Sequence, residues 1–169
     1  MKKRKIFKAL FLFMVVALPA TAQQTGEKQQ VQNVMEVWHK AAADADFDLF
    51  FDQMTDEGVF LGTDASENWQ NKAFKDFSKP YFDRGKAWSF TTVERNIYVD
   101  KEGKFAWFDE LLDTQMELCR GSGILKKVDG KWKIAHYVLS IAIPNDLVDQ
   151  VTALKKESDS LYVQKLKKK

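Results

Sequence analysis

The stretch that most restricts the fold is KWKIAHYVLSIAI, Lys131 to Ile143. It follows Asp129-Gly130, a dipeptide that favours a two-residue hairpin turn because both residues tolerate positive φ. Pro144 stops it. The pattern predicts one long strand. One parity holds Trp132, Ile134, His136, Val138 and Ser140; the other holds Lys133, Ala135, Tyr137, Leu139 and Ile141. Both are largely apolar, whereas a sheet with one wet face alternates apolar and polar. One face must therefore lie under helices. The other needs cover from the C-terminal helix or from a second copy of the chain, and a homodimer is the expectation.

The rest of the chain supplies the helices and the remaining strands. Val31, Val34, Met35, Trp38, Ala42 and Ala45 recur at helical spacing, predicting an amphipathic helix from Glu27 to Ala45. Asp46 is a candidate N-cap for a short helix reaching Met54. Val59-Phe60-Leu61 opens a strand that stops at Gly62. A third helix is expected over Asn71 to Phe82, with Pro80 bending it or ending its regular part. Strand patterns then run over Trp88 to Tyr98, Phe105 to Asp113 and Met116 to Val128, with Asp100 to Gly103 as a hairpin loop. Asn145 caps a last helix carrying Leu147, Val151, Leu154 and Leu161. Helices first and antiparallel strands after predict an α+β fold, with helices on one curved sheet.

The two ends differ from the body. Met1 to Lys5 is basic, Ile6 to Leu18 is apolar except for Lys8, and Ala20-Thr21-Ala22 has the small-x-small pattern of a cleavage site. Residues 1–22 read as a cleaved secretory signal rather than a membrane anchor, because the apolar run falls short of the roughly 20 residues that span a bilayer. An exported protein, periplasmic or extracellular, is expected. Residues 23–154 form the domain, with 15 basic against 22 acidic residues, a net charge of −7. Residues 155–169 are a Lys-rich helix end. An acidic body argues against nucleic acid as a partner. Cys119 is the only cysteine, so no internal disulfide is available. No metal-ligand spacing or cofactor motif is present in the sequence.

FLGTDASENW, AWFDELL, CRGSGIL and WKIAHYVLSIAIPN, in this order after an N-terminal helical pair, resemble the SnoaL-like branch of the nuclear-transport-factor-2-like superfamily. The resemblance covers Val31 to Asn145. It implies a strongly bent antiparallel sheet wrapped by N-terminal helices, cone-shaped with an internal pocket. It implies no single activity, since members include isomerases, cyclases, hydrolases, dehydratases and domains that only bind or oligomerise.

Several residues are candidates for a site. Asp109 and Glu110 are adjacent in a strand, so only one faces the pocket. A two-residue turn at Thr114-Gln115 sets Asp109 opposite Arg120. A turn one residue longer sets Glu110 opposite Arg120 and Asp109 opposite Gly121, and the resemblance implies this second register, with Asp109 inward. In both, Arg120 gains an acidic neighbour, as a register-pinning ion pair or as a ligand clamp. His136 is either a hydrogen-bonded core residue or a general base. His39, beside Trp38, is expected at the surface or an edge. The resemblance also sets Val138 where some members carry a second histidine.

Gly121-Ser122-Gly123 lies inside a strand and lacks the context of a phosphate loop. Glycine there lets an aromatic ring such as Phe108 or Trp107 lie across it. Trp69, Trp88, Trp107, Tyr98 and Tyr137 line an apolar pocket or fill the core. Asp64 is expected to hold the turn after Leu61 through backbone groups, with Glu67 and Trp69 at the rim. The leading expectation is a homodimeric domain that binds a small, largely apolar molecule through Trp69, Trp88, Trp107, Asp109, Glu110, Arg120, His136 and Tyr137. The alternatives are a cofactor-free isomerase, cyclase or hydrolase with Asp109 or His136 as base, and a structural assembly module.

Overall fold

A computed structural model describes residues 20–168, with side chains from Gln24 onward. The proposed signal segment therefore lies almost wholly outside the described residues. Helix α1 (Ala20–Ala43) buries Val31, Met35, Trp38 and Ala42, the expected stripe. Ala45 ends it at φ 56°, a left-handed residue closing a helix C-terminus. Asp46 then caps α2 (Phe47–Asp52) by accepting from the Leu49 amide. Strand β1 (Met54–Leu61), a short β2 (Asn68–Gln70) and α3 (Asn71–Asp83) follow. Helix α3 continues through Pro80 for three further residues. The sequence pattern did not signal β2, whose three residues are too few to show alternation.

Four strands complete the sheet: β3 (Thr91–Val99), β4 (Phe105–Thr114), β5 (Glu117–Val128) and β6 (Lys131–Ile141). The spatial order is β2-β1-β6-β5-β4-β3, a six-stranded curved sheet that does not close. All neighbours are antiparallel except β1 and β6, which run parallel, a pairing that the consecutive hairpins did not signal. Asp129 and Gly130 both have positive φ, as the tight hairpin requires. Asp100 holds the β3–β4 loop by accepting from the Glu102, Lys104 and Phe105 amides.

The core lies between the inner face of the sheet and α1, α2 and α3. It is rich in rings: Trp38 stacks on Phe50 at 4.9 Å and meets Tyr137 edge-on at 4.7 Å. Gly123 admits Phe108, whose ring lies 2.9 Å from where a Cβ would be. Helix α4 (Val148–Lys167) has no buried residue. It therefore does not supply the cover that the outer face of β6 was expected to need.

Two irregularities decide the faces. β6 carries a bulge: Ile124 pairs with His136 and Leu125 with Ile134, so Ala135 is the extra residue. The strand changes parity there. Trp132 and Ile134, then Tyr137 and Leu139, are buried, while His136 and Val138 turn outward. The apolar content of both parities thus reflects a face switch within the strand. The second irregularity is the β4–β5 turn. Thr114 pairs with Glu117, leaving Gln115 and Met116 as the loop, with Glu117 at φ 62°. Thr114 Oγ1 accepts from the Met116 amide and donates to the Glu117 carbonyl. The pairing is offset by one residue from the longer-turn register and by two from the two-residue-turn register.

Candidate functional site

The β4–β5 register corrects the expectation about the acidic pair. Glu110 sits opposite Gly121, Asp109 opposite Ser122 and Leu111 opposite Arg120. Glu110, not Asp109, faces inward, and its side chain is fully buried. Arg120 is exposed and has no acidic residue directly across from it on either neighbour, since its β6 partner is Ser140. Asp109 is half-buried on the outer face, accepting from Asn96 Nδ2 at 3.1 Å.

Glu110 is the centre of a buried polar cluster. Arg95, its cross-strand partner on β3, donates from Nε at 2.9 Å and from Nη2 at 2.6 Å to Oε2. Arg95 Nη2 also donates to Thr92 Oγ1 at 2.8 Å. Tyr137 donates its hydroxyl to Oε1 at 2.9 Å. His39 Nε2 lies 3.0 Å from Oε1. Burial pushes the Glu110 carboxyl up, but the hydrogen bond and charge of His39 and the charge of Arg95 outweigh it, and the pKa falls below the ordinary 4.5. An ionised carboxylate only accepts, so His39 Nε2 carries the proton. Burial, then the Glu110 carboxylate, hold the Tyr137 phenol well above its ordinary 10.0. A side chain at Gly121 would put its Cβ 2.4 Å from Tyr137 Oη and 2.7 Å from Glu110 Oε1, so glycine is needed there.

His39 and Arg95 were missed as site residues. His39 is 7% exposed, not at the surface as expected. A signal existed: it lies four residues after Met35 and eight after Val31, on the buried stripe. Arg95 shares the inner parity of Ile97 and Val99, an apolar set in which a lone charge calls for a buried partner.

A cavity of about 120 Å³ opens at the mouth of the cone. Phe60, Trp69, Phe74, Phe77, Trp88 and Phe90 line it, with Leu139, Thr63, Glu67, Gln115 and Gly62. Of the expected ligand residues, the fold brings Trp69 and Trp88 here, with Glu67 at the rim. Asp64 closes the rim turn by accepting from the Ser66 amide at 2.8 Å. The polar cluster lies one layer below and lines none of this cavity. Phe60 lies between them, stacked on Tyr137 at 5.5 Å, as does Phe90, edge-on to His39 at 5.9 Å. Trp107 and His136 point away on the outer face. Trp107 is 49% exposed and, among the described residues, stacks only on Tyr98, at 5.7 Å. The expected ligand set therefore divides among three places: Trp69 and Trp88 at the mouth, Glu110 and Tyr137 in the cluster, and Trp107, Asp109, Arg120 and His136 outside.

A family model of the SnoaL-like domain matches residues 31–144, most of the chain. The chain belongs to the SnoaL-like family. Its fold is similar to solved members of the wider NTF2-like group. An NTF2-like protein from Pseudomonas putida shares 15% identity at a TM-score of 0.61, covering 72% of this chain and 90% of that one. The association domain of the C. elegans kinase CaMKII shares 17% identity at a TM-score of 0.58, covering 70% and 98%. An NTF2-like protein from Cytophaga hutchinsonii shares 13% at 0.57, covering 68% and 97%. At such identities the likeness concerns the fold alone. No curated protein matches the sequence.

Proposed function

We propose that this SnoaL-like domain is a binding module whose mouth cavity holds one small, largely apolar molecule. The observation that carries this reading is the cavity itself: six aromatic rings around about 120 Å³. Apolar cavities of roughly 150 Å³ take up benzene, whereas drug-sized ligands need about 300 Å³ or more. The ligand, or the part that enters, is thus about one ring in size.

The buried cluster supports binding over catalysis. It lines none of the cavity, and Phe60 and Phe90 stand between the two. Asp109 and His136, the bases of the enzymatic alternative, lie on the opposite face of the sheet.

Homodimerisation and export belong to the same proposal. The outer face offers Tyr98, Trp107, Ile124 and Leu118, all more than 40% exposed. Paired with a second copy, they would lose that exposure. Among the described residues no helix is long and apolar enough to cross a membrane. Native mass spectrometry of the protein from its own host tests all three parts. The expected result is a dimer of chains beginning near Gln23 with a small molecule retained. A bare monomer starting at Met1 would overturn the reading.

A further inference from the structure

The charge around the mouth cavity narrows the ligand further. Among the described residues Glu67 is the only ionisable one lining it; no Lys, Arg or His does. Its carboxylate lies over Gly62, where a Cβ would fall 2.0 Å from Oε2, so the glycine makes room for it. Among the described residues the only hydrogen bond to this carboxylate comes from the Asp64 amide at 3.3 Å, and no cationic side chain pairs with it. Glu110 and Glu27, by contrast, each have a cation, Arg95 and Lys127 respectively.

The rings beside Glu67 are fixed in stacked pairs. Phe60 lies on Phe74 at 4.3 Å, Trp69 on Phe77 at 4.6 Å and Trp88 on Phe74 at 5.9 Å. Aromatic faces carry negative quadrupole density and attract cations, most strongly where water is excluded. The body carries a net charge of −7, which raises the local concentration of cations.

We infer that the mouth cavity is an aromatic cage for a small alkylammonium ion, with Glu67 as its counter-ion. This rests on the mouth cavity being a binding site. The methylated head sits among the rings, where a strongly hydrated primary ammonium would lose more solvation than the cage returns. The size of the cavity limits the head to about a trimethylammonium group.

The test is titration calorimetry on the full chain with two probes of equal shape, choline and its neutral carbon isostere 3,3-dimethylbutan-1-ol. Choline is expected to bind about tenfold more tightly or better. Glu67→Gln should weaken choline about fivefold to tenfold and leave the isostere unchanged, while Trp69→Leu should weaken both. Should Glu67→Gln fail to fold, choline affinity in the unaltered protein is measured against salt, and a fall with added sodium chloride replaces it as support. Equal or tighter binding of the isostere overturns the cationic ligand and leaves an apolar binding site standing. Binding of neither probe, nor of phenol as a neutral ring, overturns the mouth site and the cation together.

Discussion

Asp109 and Glu110 are chain neighbours on opposite faces of β4, and the two faces set them opposite tasks. Glu110 accepts from Arg95, Tyr137 and His39 in a core without exposure. Asp109 accepts from one exposed asparagine. The same contrast holds for the rings: Tyr137 is locked among Trp38, Phe60 and Phe108, while Trp107 stacks on Tyr98 beside water. The inner face is held by buried hydrogen bonds and ring contacts, which favour one arrangement. The outer face has apolar area still to cover, which favours association.

The largest test of this contrast is Glu110→Gln. Removing the charge leaves Arg95 buried without its counter-ion, and loss of about 3–5 kcal/mol is expected in urea unfolding at pH 7. The pH dependence follows from the depressed pKa. The carboxylate's contribution is present in full above 4.5 and disappears as pH falls through its lower folded value. The gap between the two proteins should therefore close in acid. A gap that persisted at low pH would mean that shape, not charge, holds the cluster.

Gly121→Ala should come next, at about 2–3 kcal/mol, because the new methyl group displaces Tyr137 Oη and Glu110 Oε1 from each other. Equilibrium unfolding with an unchanged denaturant slope would check it. The smallest effect on the folded monomer is expected from Trp107→Ser, within about 0.5 kcal/mol. Its effect should appear in sedimentation equilibrium, as a dimer at least about tenfold weaker. A protein that is monomeric at every concentration would remove the contrast between the faces.

Much of the fold was legible in the chain. Asp46 before a ring-rich helix, Asp129-Gly130 between apolar runs, and the stripe from Val31 to Ala42 each specify local structure with their own atoms. So does Asp64 with Ser66, within two residues. The site was legible only in parts. Trp69 and Glu67 lie in a stretch that carries the family pattern, whereas Trp88 lies outside every such stretch. His39 and Glu110 meet across 71 positions, and nothing near either residue announces the other.

The sequence by itself determined the order of the main elements, the Asp129-Gly130 turn, the family and the aromatic wealth of the core, because these depend on neighbours a few residues apart. Only the tertiary structure decided which acid of the Asp109-Glu110 pair is buried and which way His136 points. A strand pattern of period two defines two faces and does not say which is inner. One extra residue in β6 at Ala135 turned His136 outward, and the turn at Gln115-Met116 set Glu110 opposite Gly121. Such shifts are set by packing: Gly121 has room for Glu110 and Tyr137 to meet over it, and Arg95 and His39 stand ready to neutralise and bond the carboxylate that arrives.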